Sequence, residues 1–373
     1  MADMSPEKFL VTRRRLAWWC LAGLSIAYAL VCALIFFQWV NPSLQGQTSQ
    51  RIAADSSTYL YMADVLREGR NDPFVLGALA SFPNTLWMPV FVALLLKNTV
   101  VIALVNVFVF LVSIRLFKLS SEFNVGLFVA LLLINPTTMV SLLSVNKEII
   151  DLFVVALFCY SLTSKRKWAL CAALIIALLN RYEVCFTMIL FLFIRSRLNP
   201  LRRRRLLTLF GLVVLISFCL PLLAGRSLAT RFEEASSGGM IAFLDSLEMH
   251  YLYFIAVIPK ILEGMFGELL NVSRWTQYST DDLANSYILV FNNVAALVTL
   301  LILGWKRNLK LSSDWVYFAL LGCIIMSLSL VVQPRYFYYC YVLFCFQAAH
   351  PRMLKTNKYV LKVRDFGGTI GIA

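Results

Sequence analysis

The stretch LAWWCLAGLSIAYALVCALIFFQWV, residues 16–40, decides the fold class. It holds no Asp, Glu, Lys or Arg, and it is long enough to cross a bilayer, which takes about 20 apolar residues. Arg13, Arg14 and Arg15 precede it, as the charged region of a signal peptide would. The run is too long for a signal core and lacks a clear small-x-small cleavage site, so it reads as a retained first span.

Composition extends that reading to the whole chain. Of 373 residues 60% are hydrophobic and 14% charged, where a soluble domain carries about 45–50% and about 25%. Mean hydropathy is +0.76. The expectation is an all-α polytopic membrane protein, a single integral domain over 1–373. About ten spans of the required apolar length fall near 16–40, 99–117, 123–142, 149–163, 168–180, 184–196, 206–224, 284–304, 314–332 and 336–349. The apolar segment 83–96 contains Pro83 and Pro89 and is followed by Lys97-Asn98, which leaves it open between a half-inserted helix and a full span. The nine cysteines lie in or beside apolar runs without CxxC spacing, which speaks against a zinc site or a disulfide framework.

A net charge of +14 invites a nucleic-acid reading, but a cytoplasmic excess of Lys and Arg gives the same total. With the N-terminus inside and 83–96 half-inserted, most of the 34 basic residues fall on the inner side, including Arg13–Arg15, Lys165–Lys167, Arg195, Arg197 and Arg202–Arg205. All of the 20 acidic residues except Asp3, Glu7, Glu122, Asp314 and Asp365 fall outside. That asymmetry supports both termini in the cytoplasm and removes nucleic acid as a partner. Two long outer loops remain, 41–98 and 225–283. Each carries an amphipathic stretch, Tyr59–Arg67 and Tyr251–Leu270, expected to lie in the membrane interface.

Charges at the outer ends of spans are costly unless paired, hydrated or used, which makes them candidates for chemistry. Four places qualify: Asp55 after the first span, Asn146-Lys147-Glu148 with Asp151, Arg181-Tyr182-Glu183, and Pro334-Arg335-Tyr336. The last three are turns too short to need charge for solubility. Arginine forks and a lysine suit a phosphate or pyrophosphate leaving group. The plainer alternative is snorkelling of Lys147, Arg181 and Arg335 to lipid headgroups, with Glu148 and Glu183 as counter-charges. His250 and His350 fall on opposite faces, which leaves no two-histidine metal site or serine-histidine triad. Asp281-Asp282 suits the start of a helix, Asn271-Val272-Ser273 matches a common glycosylation pattern, and no phosphate-binding glycine motif is present.

At Asp55, Tyr59 and Ala63, continued by Leu66 and Gly69, the chain resembles the first outer loop of membrane glycosyltransferases of the GT-C fold. Phe82-Pro83 to Leu96 resembles that fold's juxtamembrane helix; Asn135-Pro136, Arg181 and Arg335-Tyr336 fit in order. Asn146-Lys147-Glu148 and Pro334-Arg335-Tyr336 also resemble bacterial O-antigen and exopolysaccharide polymerases. The chain departs from the family where many members carry a second acid, because Ser56 follows Asp55. The resemblance implies a glycosyltransferase with Asp55 as general base. Tyr59, Asn146, Lys147, Glu148, Arg181, Glu183, Arg335 and Tyr336 would bind substrate.

The implied partners are a polyprenyl-linked sugar donor, a glycan or lipid-linked acceptor, and membrane lipids. The implied location is a bacterial inner membrane with the active site facing the periplasm. No cofactor is assigned, and a divalent cation stays open. The competing class is a transporter or flippase without covalent chemistry.

Overall fold

A computed structural model of the chain describes residues 27, 30–40, 54–73, 75, 77, 87–95, 97–202, 204–234, 240–270, 283–328 and 334–351. Arg13–Arg15, most of the predicted first span, Phe82-Pro83, Asn271–Ser273 and Asp281-Asp282 lie outside those residues. Among the described residues every regular element is helical. A helical turn at Phe36–Val40 is followed by α1 (Ala54–Glu68), α2 (Trp87–Leu94), α3 (Thr99–Ser120), α4 (Val125–Ile134), α5 (Pro136–Leu143) and α6 (Glu148–Ser164). Then come α7 (Lys167–Asn180), α8 (Tyr182–Arg195), α9 (Arg205–Glu234), α10 (Met240–Met249), α11 (Tyr253–Leu270), α12 (Leu283–Trp305), α13 (Asp314–Met326), a 3-10 turn at Pro334–Phe337 and α14 (Tyr338–Ala349).

Two compact units divide the chain. The first contains Met1–Phe108, Met139–Asn146 and Tyr278–Ser286; the second contains Val109–Thr138, Lys147–Gln277 and Tyr287–Ala373.

In the first unit, α1 ends at Gly69, whose φ of +63° is a conformation that costs glycine nothing. Lys97 Nζ binds Asp64 Oδ2 at 2.5 Å, joining the segment after α2 to α1. Asn106 is the only amide on α3, and it is buried. Its Nδ2 donates to the Ser141 and Ser144 carbonyls at 3.1 and 2.8 Å. These belong to the last turn of α5 and the residue just beyond it, where carbonyls lose their intrahelical donors.

In the second unit, the proline rule shapes the break between α4 and α5. Asn124 caps α4 by accepting from the Leu127 N–H. Asn135 then turns extended (φ −81°, ψ 115°), as a residue before proline must. Pro136 takes the first helical position of α5, where its missing N–H does no harm. The expected single span at 123–142 is therefore two helices bent by 83°.

Between α6 and α7 the chain turns at Lys165, a non-glycine in the left-handed region at φ 56°. Ala169, Ala173 and Ala177 recur every four residues on α7 and are buried, so the packed helices approach closely. α14 is buried all round, as a helix apolar on every side must be, with α4, α6 and α13 against it. Gly322 on α13 makes room for it. A Cβ there would stand 2.6 Å from the Tyr339 hydroxyl and 2.8 Å from Cys340 Sγ. Phe346 anchors an aromatic cluster with Phe117 and Phe123, at centroid separations of 4.6 and 5.0 Å.

Several helices carry exposed apolar faces. On α3, Leu104, Phe108 and Leu111 are 65%, 66% and 59% exposed while Asn106 is 2% exposed. α11 repeats the pattern, with Phe254, Ile255, Ile258 and Leu262 exposed. Lys260, on the stretch expected to lie in the membrane interface, is fully buried and bonded to Glu248 Oε1 at 2.7 Å. Among the described helices α3 alone is long and apolar enough to cross a membrane by itself; α4 and α5 pass only as a bent pair. With 14 residues, α7 spans about 21 Å, short of a hydrocarbon core of about 30 Å.

Candidate functional site

Three short connections of the second unit bring their charges together. Lys147 precedes α6, and Glu148 and Asp151 fall in its first turn, where the helix dipole favours carboxylates. Arg181 is the single extended residue (φ −150°, ψ 106°) that ends α7 and starts α8. From there its guanidinium meets α6. Nη2 donates to Glu148 Oε1 at 2.6 Å, and Nε forms an ion pair with Asp151 Oδ2 at 3.0 Å. Asn180, the last residue of α7, adds Nδ2 bonds to Asp151 Oδ1 at 2.7 Å and to the Lys147 carbonyl at 3.1 Å.

The third connection supplies an aromatic face. The Tyr336 ring, in the 3-10 turn before α14, has the Arg181 guanidinium 5.3 Å from its centroid and the Arg335 guanidinium at the same distance. Cations at that range are attracted to the ring's negative face. Arg181 is therefore held by two carboxylates and a ring, and is buried. Lys147, Glu183, Arg335 and Tyr336 are half-buried and remain within reach of solvent. Burial pushes the Lys147 ammonium below its usual range, and the Arg181 charge adds to that, against the nearby acids Asp151, Glu148 and Glu183.

The cluster balances three cations, Lys147, Arg181 and Arg335, against three carboxylates, Glu148, Asp151 and Glu183. An incoming phosphate would have to compete with Glu148 and Asp151 for Arg181. The half-buried Lys147 and Arg335 stand nearer to solvent. Among the described residues no group of three or more His, Cys, Asp or Glu is placed to hold a metal ion.

Other expected site residues fall in the first unit. Asp55 lies in the first turn of α1, and its side chain is outside the described ones. Tyr59, one turn on, is buried. Ser56 between them is buried and donates to the Val145 carbonyl at 2.8 Å, tying α1 to the segment that leads into Asn146. Asn146 is buried too, and its Nδ2 donates to Ser144 Oγ at 2.9 Å.

Sequence reasoning passed over two polar positions. Asn180 ends an apolar helix immediately before Arg181, and that adjacency was the available signal. Asn292 gave no signal inside the apolar run of α12. Its Oδ1 accepts the Thr137 N–H at 3.1 Å, beside the α4–α5 break, where Asn135 Oδ1 accepts the same N–H at 2.9 Å. Thr138 Oγ1 and the Tyr338 hydroxyl share a hydrogen bond of 2.9 Å close by.

Comparison with protein families, with curated proteins and with solved structures finds no match to this chain.

Proposed function

We propose that the chain is an integral membrane glycosyltransferase. It would move a sugar or oligosaccharide from a polyprenyl phosphate or pyrophosphate donor to an acceptor at the outer face. The observation that carries this reading is the buried Arg181–Glu148–Asp151 group with Tyr336 and Arg335, inside helices whose outward side chains are apolar. Charge held within such helices is expensive and marks a working site by default. The apolar exterior suits about ten spans, the shorter helices lying in the membrane beside longer ones, with the cluster on the periplasmic side.

By the sequence resemblance alone, the Asp55 carboxylate would accept the proton of an acceptor hydroxyl as its oxygen bonds to the anomeric carbon. The bond from that carbon to the phosphate oxygen breaks, and the phosphate departs with the electron pair. Lys147 and Arg335 offset the charge that develops on it. Arg181, clamped by Glu148 and Asp151, positions Tyr336 and Arg335.

The α4–α5 break supports a second reading. Bent helices lined by amides and hydroxyls, here Asn135, Asn292, Thr138 and Tyr338, are how transporters build substrate sites. Purified protein incubated with lipid-linked sugars separates the two. A new glycan supports transfer, and its length tells single-sugar addition from repeat-unit polymerisation. Accumulation of unaltered substrate in sealed vesicles, with no glycan, identifies a transporter.

A further inference from the structure

A second charged site lies in the second unit, away from the cluster described above. A cavity of about 300 Å³ is lined by Arg195, Arg202, Arg205, Asp314, Phe191 and Tyr317, among others. Its arginines come from the end of α8, the start of α9 and the chain between them.

The site is held in shape by Asp314, the first residue of α13. Its Oδ2 forms an ion pair with Arg195 Nη1 at 3.1 Å, and its Oδ1 accepts from Arg205 Nη2 at 2.5 Å. Arg205 Nη1 also donates to the Leu311 carbonyl at 3.0 Å, and its guanidinium lies 5.2 Å from the Tyr317 ring centroid. Three arginines thus face one carboxylate, leaving an excess of positive charge. Arg202 is exposed and makes no ion pair among the described residues. Tyr317 is 2% exposed.

An apolar surface continues from this cavity. A second cavity of about 1060 Å³ shares Arg202 and Arg205 and runs along Leu206, Leu207 and Phe210. All three of those side chains are exposed. Arginines favour phosphate oxygens through paired N–H donors, and exposed leucine and phenylalanine beside them favour an acyl chain. The charge asymmetry of the sequence assigns Arg195–Arg205 to the cytoplasmic side, where anionic lipid headgroups concentrate.

We propose that Arg195, Arg202 and Arg205 bind the phosphate of an anionic glycerophospholipid, whose acyl chain lies along Leu206 and Phe210. This rests on the membrane part of the proposed function and not on glycosyl transfer, so a protein inactive as a transferase can still bind the lipid here.

The test uses the full chain in a neutral detergent, titrated separately with phosphatidylglycerol, phosphatidylcholine and inorganic phosphate. Binding is read by native mass spectrometry and by the shift in melting temperature. Phosphatidylglycerol should bind and raise the melting temperature, while phosphatidylcholine should not. Arg202→Gln should weaken the phosphatidylglycerol affinity about tenfold, as loss of one charge-assisted contact does. The Arg195→Gln/Arg202→Gln pair should abolish the selectivity over phosphatidylcholine. Equal binding of the two lipids by the wild type overturns the proposal without reference to any variant. So does unchanged phosphatidylglycerol affinity in both variants. An equal shift from inorganic phosphate alone overturns the lipid assignment.

Discussion

Arg181 and Glu148, 33 positions apart in the chain, meet at 2.6 Å with both side chains buried. The contact requires α7 to end at Asn180 and α8 to begin at Tyr182, leaving Arg181 alone in extended backbone opposite the first turn of α6. A buried arginine in that position organises its surroundings whether or not it touches substrate.

Arg181→Met strands Glu148 and Asp151 without their counter-charge. Removing one partner of a buried ion pair costs about 3–5 kcal/mol, so the melting temperature in detergent should drop sharply. Replacing all three residues with apolar ones of similar size should recover most of that loss while leaving transfer absent. A single variant as stable as the wild type would show that the clamp does not hold these helices together.

Gly322→Ala should destabilise by about 1–3 kcal/mol, the usual cost of overpacking. The new methyl would stand 2.6 Å from the Tyr339 hydroxyl and 2.7 Å from its Cε2. Adding Tyr339→Phe should restore only part of the stability, because the ring carbon stays in the way. Denaturation of the three proteins side by side measures it.

Lys260→Met removes the ammonium bonded to the buried Glu248 carboxylate at 2.7 Å, and should destabilise α10 and α11 together. Lys260→Met with Glu248→Leu should be close to wild type, since apolar substitutes often match a buried pair. A double-mutant cycle on proteolysis of the 240–270 segment reads the coupling.

His350 ties stability to pH. Burial depresses its pKa below the ordinary 6.5, with the Lys306 charge acting in the same direction against the bond to the Phe346 carbonyl. Nδ1 lies 2.8 Å from that carbonyl, and Nε2 lies 2.9 Å from Ser121 Oγ, which suits a neutral ring. The unfolded chain therefore takes up a proton first as pH falls. The contribution of His350 should be complete above pH 6.5 and decline below it, until the folded ring also protonates. His350→Gln should flatten that part of the stability profile.

Much of the architecture can be read from the residues because helix boundaries follow local chemistry. Lys167–Asn180 and Tyr182–Arg195 match the apolar runs expected at 168–180 and 184–196, since Arg181 interrupts them. The Asn135-Pro136 break was also written in the chain, but hydropathy summed over 123–142 conceals it. Pairing across long separations was not legible. Nothing local to Lys260 distinguishes a lysine reaching for water from one buried against Glu248, and α11's exposed apolar stripe appears only once packing fixes which side faces inward. At the site, the charges of the short turns were visible. Their mutual neutralisation around Arg181 was not, because it depends on how α6, α7 and the Pro334–Phe337 turn pack.

The most direct test of the central claim is glycan formation by wild-type and Asp55→Asn protein, each reconstituted in liposomes with a polyprenyl-linked sugar and an acceptor. The account predicts product from the wild type and none from Asp55→Asn, with equal insertion and equal melting temperature. Near-normal product from the folded variant would contradict Asp55 as the base; absence of product from the wild type across polyprenyl-linked donors would contradict glycosyl transfer itself.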